Sequence, residues 1–171
     1  MAESIIVNKN LSEEEIYNNL IPQIENLISE SDAIISALSN FTAALKEAFD
    51  KISWAGFYLL KGNKLILGPF QGKIACTEIE LGKGVCGTTA EKKETIIVED
   101  VNKFPGHIFC DANSKSEIVI PLKYNNKIYG VLDLDSYVYS AFNEIDKKYL
   151  EKLCNLLLKK IDPDKILKLI I

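Results

Sequence analysis

Three cysteines, Cys76, Cys86 and Cys110, lie close together in the middle of this 171-residue chain. Nine residues separate the first from the second, and 23 separate the second from the third. Zinc sites usually use cysteine pairs two to four residues apart, so the spacing favours thiol redox chemistry over a metal centre. Free cysteine is also among the most buried residue types, and a place in the core is the alternative for each of the three.

Acidic residues alternate with aliphatic ones in a predicted hairpin. Asp133 and Asp135 are two residues apart on its second strand, so they share one face. On the first strand, Glu117 lies on the face opposite to the aliphatic residues. A two-residue connection would mix acids with aliphatic residues, whereas an odd connection puts Glu117 opposite or near Asp133. The pattern therefore predicts a patch of three carboxylates, and a solvated sheet edge is the alternative.

Aromatic residues flank a glycine on an earlier predicted strand. Trp54, Gly56 and Tyr58 share one face, and this spacing resembles the wall of a small pocket, although ordinary sheet packing would use the same residues. His107, the sole histidine, precedes Cys110 by three residues. It could lower the pKa of that thiol, against the opposing effect of Asp111, or it could be a loop histidine without a chemical role.

Glycines surround the middle cysteine. Residues 82–87 satisfy the dinucleotide-binding pattern G-x-G-x-x-G, but the segment before them alternates polar and apolar residues where a buried parallel strand would be apolar throughout. No repeated βαβ unit surrounds them. We therefore interpret these glycines as residues that let the backbone turn tightly around Cys86 and approach a ligand.

Charge narrows the classes of ligand. The chain carries 24 acidic and 20 basic residues, a net charge of -4, and its lysines are scattered, so nucleic-acid binding is not expected. It contains no arginine, the side chain that usually grips carboxylates and phosphates through two hydrogen bonds. A ligand with an ammonium group suits this composition better than a phosphate.

The length fits one domain with a full hydrophobic core, which needs no disulfide to hold it together. The first 30 residues contain acids throughout and no long apolar run, so we expect neither a secretory signal nor a membrane span, and we expect a cytoplasmic protein. Thiols stay reduced in that compartment unless they turn over. Any disulfide here is therefore expected to be functional.

Periodicity predicts helices, then a strand meander, then a final helix, which is typical of an α+β fold. The final helix places Cys154 on its apolar stripe, and this cysteine is predicted to belong to the core. The predicted elements are two helices within 12–50, the second restarting at Ser31 and Asp32; strands at 54–60, 64–70, 74–81 and 95–98; a short helix at 88–93; a long functional loop at 99–116; hairpin strands at 118–122 and 128–135; a helix at 143–160; and an amphipathic tail at 162–171.

Several longer strings resemble those of the free methionine-R-sulfoxide reductases, which are enzymes built on a single GAF domain. The resemblance covers about residues 12–155 and rests on WAGFYLL, LGPFQGKIAC, GKGVCGT, FPGHIFCD, SEIVIPL and GVLDLDS. It implies one GAF domain over 1–171, with a central antiparallel sheet flanked by N-terminal and C-terminal helices. The tail at 162–171 lies beyond it.

The same resemblance implies roles for eight residues. Cys110 matches the nucleophile, and Cys86 and Cys76 match the other two redox cysteines. The substrate-binding positions are matched by Trp54, Tyr58, Glu117, Asp133 and Asp135. Which of Cys76 and Cys86 resolves the oxidised nucleophile first, and which carboxylate protonates the substrate, stay open at this point.

The implied activity is reduction of free methionine-R-sulfoxide by a cysteine thiolate, with a sulfenic acid and then a disulfide as intermediates. The resemblance further implies no bound cofactor or metal, a thioredoxin-like dithiol as reductant, and a homodimer. One alternative is a GAF module that binds a ligand or senses oxidation without turnover. Another is a structural thiol-rich domain.

Overall fold

The computed structural model describes residues 4–30 and 32–170. Its strands form a single sheet in the order β3-β2-β1-β6-β5-β4, and each neighbouring pair is antiparallel. This confirms the predicted α+β fold. The strands are β1 (Trp54–Lys61), β2 (Lys64–Gln71), β3 (Glu78–Glu80), β4 (Ile96–Val98), β5 (Ser116–Tyr124) and β6 (Lys127–Ser136), and the helices are α1 (Glu13–Leu27), α2 (Ile34–Ala48), α3 (Gly84–Lys92), α4 (Glu144–Lys160) and α5 (Pro163–Ile166).

The two faces of the sheet carry different layers. Helices α1, α2 and α4 cover one face and bury the main apolar core, in which Phe41, Phe57 and Leu153 are fully buried. Cys154 belongs to this core, as its place on the apolar stripe of α4 predicts. The opposite face carries a smaller apolar cluster that includes Val85 of α3. Long loops and α3 therefore have room on that second face to build a site.

The N-terminal helices form where periodicity predicts them, but the second begins later than predicted. Ser12 and Glu15 form a reciprocal capping box at the start of α1. Helix α2 begins at Ile34, and its N-cap residue makes no side-chain hydrogen bond. Asp32 instead accepts a hydrogen bond from the Ser29 backbone, so its predicted role at the helix start is wrong. Ser31 lies outside the described residues.

The β5–β6 hairpin corrects the predicted connection. Its turn has two residues, Asn125 and Asn126, both with positive φ, as a tight hairpin requires. The register then shifts by one residue, because Lys123 pairs with Ile128 but Leu122 pairs with Gly130. This β-bulge supplies the odd residue that the prediction assigned to the loop.

The bulge also exchanges two side chains between the faces of the sheet. Tyr129 packs in the helix-side core, whereas strict alternation from Asp133 predicts it on the acidic face. Ile128 packs with the apolar cluster on the other face, whereas the same alternation predicts it in the core. Gly130 has φ of +154°, and a side chain there would place its Cβ 2.2 Å from the Tyr58 carbonyl oxygen. Strand β1 can approach β6 this closely only because the residue is glycine.

Three further segments differ from their predicted bounds. The segment 74–81 forms a strand only over β3, and the predicted loop 99–116 contains a one-turn 3-10 helix at Val101–Lys103. Helix α3 begins at Gly84, four residues before its predicted start, so Cys86 lies in its first turn. The tail forms α5 and a further 3-10 turn at Leu167–Ile170, and Ile171 lies outside the described residues.

A buried carboxylate joins the two ends of the helical layer. Asp146, in the first turn of α4, is 0% exposed and accepts hydrogen bonds from the Tyr17 hydroxyl at 2.8 Å and the Asn143 backbone at 2.9 Å. The Lys51 ammonium lies 2.8 Å from its Oδ1. The N-terminal helix α1, the segment before β1 and the C-terminal helix α4 therefore all meet at one buried side chain.

Replacing Asp146 with Ala should lower the free energy of unfolding by about 1 to 3 kcal/mol, because it leaves the buried Tyr17 hydroxyl without its acceptor, while the Lys51 ammonium keeps Glu13 at 2.6 Å. Urea denaturation followed by circular dichroism measures the change. The control is Glu144→Ala in the same turn, whose side chain is 82% exposed; its effect should stay within about 0.5 kcal/mol. Equal effects of the two substitutions would contradict this role for Asp146.

Candidate active site

The site starts from the register of three adjacent strands. Trp54 of β1 pairs with Asp135 of β6, and Asp135 pairs on its other side with Glu117 of β5. In the next row of the same face, Asp133 lies between Gly56 and Val119. The sequence predicts Glu117 opposite or near Asp133. Glu117 lies near Asp133, but its direct partner across the strands is Asp135.

The two aromatic residues form one wall and hold a neighbouring loop. Trp54 and Tyr58 stack with ring centroids 6.0 Å apart, above Gly56, where a Cβ would clash with the indole. The Trp54 indole donates a hydrogen bond to the Lys73 carbonyl at 3.0 Å. The Tyr58 hydroxyl donates to the Cys76 carbonyl at 3.0 Å. Both rings therefore position the segment that leads to Cys76.

The three acids form a buried cluster. Glu117 is 5% exposed and Asp133 is 6% exposed. Burial, together with the negative charge of the neighbouring carboxylates, raises the pKa of both groups well above the usual range. Burial also raises the pKa of Asp135 to about 6, against the opposing effects of a Ser114 hydrogen bond and the nearby His107. Near neutral pH, Asp135 is thus mainly ionised, and at least one of the other two groups keeps a proton.

The cluster has room for a cationic partner. The Oδ1 atom of Asp133 is buried and has no hydrogen-bond partner among the described residues. One donor atom each from Cys86, Glu117 and Asp133 lies within 4.8 Å of the others. A buried acceptor left unpaired costs about 1 to 3 kcal/mol, which a bound cation would recover.

The structure joins Cys76 and Cys110 in a disulfide with the two Cα atoms 5.4 Å apart. The loop that carries Cys110 therefore lies against the segment that carries Cys76. Both residues are partly exposed, and Cys110 lines the pocket. The sequence left both Cys76 and Cys86 open as partners of Cys110. The structure pairs Cys76 with it and leaves Cys86 as a free thiol.

Cys86 is a buried free thiol at the base of the same pocket. Its Sγ lies 3.9 Å from Oε1 of Glu117 and can donate a weak hydrogen bond to it. Burial, followed by the charges of Asp133 and Glu117, raises the pKa of this thiol well above its usual range. Cys86 is therefore a protonated neighbour of the acids in this state.

His107 brings the Cys110 loop onto the acids. Its Nε2 lies 3.4 Å from Oε2 of Glu117, and its side chain is 7% exposed. Burial lowers the pKa of His107, although the negative charge of Asp135 acts in the opposite direction. The imidazole contacts Glu117 and is mainly neutral near pH 7. The suggestion that His107 lowers the pKa of Cys110 stays a prediction, because Cys110 is held in a disulfide.

Sequence reasoning missed a polar contact that fastens the loop from outside. The Asp111 carboxylate accepts a hydrogen bond from the Tyr137 hydroxyl at 2.7 Å, and Lys73 lies 3.3 Å from the same oxygen. Lys73 also lies 5.1 Å from the centre of the Tyr137 ring. The only available signal was the position of Asp111 directly after Cys110, because its two partners are distant in sequence.

All eight predicted site residues line one pocket except Cys76, which closes it through the disulfide with Cys110. Helix α3 and the Cys110 loop contribute lining residues that were not predicted, namely Gly84, Val85, Ile108 and Ser114. In the described part of the chain, no helix is both long and apolar enough to cross a membrane.

Comparison with known proteins places this fold in a family. The GAF domain model matches residues 11–159. The chain is 53% identical over 158 residues to GAF domain-containing protein A of Dictyostelium discoideum, covering 92% of this chain and 99% of that protein. It is 46% identical over 166 residues to the free methionine-R-sulfoxide reductase of Saccharomyces cerevisiae, covering 92% of each chain.

A solved structure gives the same result. The free methionine-R-sulfoxide reductase of Neisseria meningitidis, whose crystal structure contains its substrate, superposes with a TM-score of 0.89 and 37% identity over 100% of both chains. Such coverage leaves no part of the fold without a counterpart. The chain therefore belongs to the GAF domain family and, within it, to the free methionine-R-sulfoxide reductases.

Proposed function

We propose that this protein reduces free methionine-R-sulfoxide to methionine, with Cys110 as the nucleophile. The observation that carries the proposal is the disulfide of Cys110 at the mouth of a pocket whose base holds partly protonated carboxyl groups. A thiol that reduces a sulfoxide needs both a second thiol within reach and an acid that protonates the departing oxygen. This pocket offers the two together.

The three acids have different roles because their protonation states differ. Asp135, ionised above a pH of about 6, binds the ammonium group of the free amino acid. Glu117 and Asp133 are crowded and buried, so at least one keeps a proton near neutral pH and donates it to the sulfoxide oxygen. Trp54 and Tyr58 bind the apolar end of the substrate.

The reaction balances with two thiols. The Cys110 thiolate attacks the sulfoxide sulfur while the oxygen is protonated, and methionine leaves as Cys110 becomes a sulfenic acid. The Cys76 thiol then attacks this sulfur, a disulfide forms, and the oxygen leaves as water. In sum, one sulfoxide and two thiols give methionine, a disulfide and water. The 5.4 Å separation of the Cα atoms supports Cys76 as the resolving residue.

The oxidised enzyme needs an external dithiol for the next turnover. We propose a thioredoxin-like protein, because both cysteines of the disulfide are partly exposed and thiol exchange requires access to one of them. We further propose that residues 1–171 act as one domain in the cytoplasm, as a homodimer. Exposed apolar side chains such as Ile35 on α2 are available to a second copy, and sedimentation equilibrium tests this assembly.

The cysteines have separable roles in single-turnover experiments. Starting from fully reduced protein without added dithiol, Cys110→Ser should release no methionine because the nucleophile is absent. Cys76→Ser should release about one equivalent and accumulate a sulfenic acid, which mass spectrometry detects after trapping with dimedone. Cys86→Ser should still form the Cys76–Cys110 disulfide.

The control is Cys154→Ser, since Cys154 is buried in the helix-side core; it should behave as the unaltered protein. One equivalent of methionine from Cys110→Ser would remove Cys110 as the nucleophile. If the unaltered protein binds the sulfoxide but releases no methionine even with dithiothreitol, it is a GAF binding module without turnover.

The pH dependence follows from Asp135. Its ionised form binds the substrate ammonium, and protonation below a pH of about 6 removes that charge. We therefore expect kcat/KM to fall by about tenfold per pH unit below that value. Asp135→Asn should lower kcat/KM at neutral pH and abolish this acidic limb. A limb that persists unchanged in the variant would assign the titration to another group.

A further inference from the structure

We propose that Cys86, Glu117 and Asp133 form a binding site for a thiophilic divalent cation such as Zn²⁺, and that the bound ion blocks turnover. The proposed reaction uses no metal, so the ion acts as an inhibitor and not as a cofactor. Cys86 has no part in that reaction, because the structure pairs Cys110 with Cys76. Binding of the ion does not depend on the proposed function, and only the inhibition rests on it.

The three residues supply ligand atoms from three elements that meet in the pocket. Cys86 lies in the first turn of α3, Glu117 on β5 and Asp133 on β6. One donor atom from each, a sulfur and two carboxylate oxygens, lies within 4.8 Å of the others. The Sγ of Cys86 is 3.9 Å from Oε1 of Glu117. A sulfur and an oxygen bound to one tetrahedral zinc ion are about 3.6 Å apart, so small side-chain rotations bring these donors around one ion.

Two buried polar atoms without partners are independent evidence for a ligand. Asp133 is 6% exposed, and its Oδ1 makes no hydrogen bond with the described residues. The Nδ1 atom of His107 is likewise buried and without a partner among them, and Nε2 of the same ring lies 3.4 Å from Oε2 of Glu117. All of these side chains line one pocket together with Cys86. The pocket therefore combines a thiol, carboxylates and an imidazole, the ligand types that zinc prefers.

The chemistry of the donors selects the ion. A site with a sulfur ligand favours zinc over magnesium and calcium, which prefer oxygen ligands alone. The ion takes the place of the Cys86 thiol proton and of any proton on the two carboxyl groups, and these protons pass to the solvent. A divalent ion then supplies two positive charges to the acidic cluster, whereas the ammonium group of a substrate supplies one.

An ion at this site is incompatible with the proposed reaction. The acid that protonates the sulfoxide oxygen is Glu117 or Asp133, and an ion bound to both removes that proton. The ion also lies beside Asp135, which pairs with Glu117 across the strands and binds the substrate ammonium in the proposed reaction. Cys76 and Cys110 are not among the ligands. The ion should therefore bind whether or not these two cysteines form their disulfide.

The binding test uses the oxidised protein, in which the disulfide withholds Cys76 and Cys110 from a metal ion. Metals are removed with EDTA, the chelator is removed by gel filtration, and Co²⁺ is added as a spectroscopic probe. We expect a thiolate-to-cobalt charge-transfer band in the near ultraviolet. Zn²⁺ should displace the cobalt, whereas a large excess of Mg²⁺ should not. Absence of the band from the unaltered protein would overturn the proposal.

Substitutions test each ligand. Cys86→Ser should abolish the band and weaken Zn²⁺ binding by at least about tenfold, the loss typical when even a residue that only supports a metal ligand is removed. Asp133→Asn should weaken Zn²⁺ binding but keep the band, because the sulfur remains. The matched control is Cys154→Ser, which removes the other free thiol, buried in the helix-side core; it should leave the spectrum unchanged.

Three results would contradict the assignment of the ligands. They are a band that survives in Cys86→Ser, a band that disappears in Cys154→Ser, and an unchanged Zn²⁺ affinity in Asp133→Asn. The last measurement decides the matter if Cys86→Ser does not fold.

Inhibition is measured in a single turnover without dithiothreitol, whose thiols bind zinc. Cys76→Ser is the background, because it lacks the thiol pair that could bind zinc by itself and still releases methionine in the proposed reaction. An excess of Zn²⁺ should suppress this release, and the further substitution Cys86→Ser should relieve the suppression. Undiminished suppression in the double variant would overturn the inhibitory role. If the reduced unaltered protein releases no methionine even without zinc, the proposed function fails, while the cobalt spectrum still decides the metal site.

Discussion

The burial of three carboxyl groups on one face of an antiparallel sheet is the constraint on which the rest of this structure depends. Removing a carboxylate from water is costly, so such a group keeps its proton or waits for a cation. At least one of Glu117 and Asp133 keeps its proton, whereas Asp135, with a pKa of about 6, is mainly ionised near neutral pH. The large apolar core on the opposite face offsets this cost, because α1, α2 and α4 bury most of the aliphatic surface there.

The Cys110 loop completes the burial. Its inner side contacts Glu117 through His107, and its outer side is fastened by Asp111 to Tyr137 and Lys73. The disulfide to Cys76 ties the loop to the segment beyond β2. The same few residues therefore cover the acids and set the position of the Cys110 sulfur. A change in the redox state of Cys110 alters a contact that covers the acidic cluster.

Sequence reasoning recovered the fold class and the face on which the acids lie, because two-residue alternation on a strand survives any change in the turn. It failed on the hairpin connection. One extra residue between the two strands is needed to put the acids on one face. The alternation does not say whether the turn or a β-bulge supplies that residue. In the structure, the bulge next to Gly130 supplies it. The early start of α3 was missed because Gly84 and Gly87 are poor helix formers, and tertiary packing decides their conformation. The pairing of Cys76 with Cys110 depends on how two loops fold over the sheet, which no local pattern encodes.

The two aromatic residues that wall the pocket also hold the segment that carries Cys76. Trp54 and Tyr58 donate hydrogen bonds to the backbone carbonyls of Lys73 and Cys76, so the rings that wall the pocket also position Cys76. Tyr58 is 1% exposed, and burial followed by the charge of Asp133 raises its pKa far above its usual range, so its hydroxyl remains a donor over the whole working pH range. Held in this way, Cys76 can stay within reach of Cys110 without a helix or strand of its own. Residues 72–77 therefore hold Cys76 in place without regular secondary structure. Side chains from β1 order them, and β1 is itself fixed between β2 and β6 at the centre of the sheet.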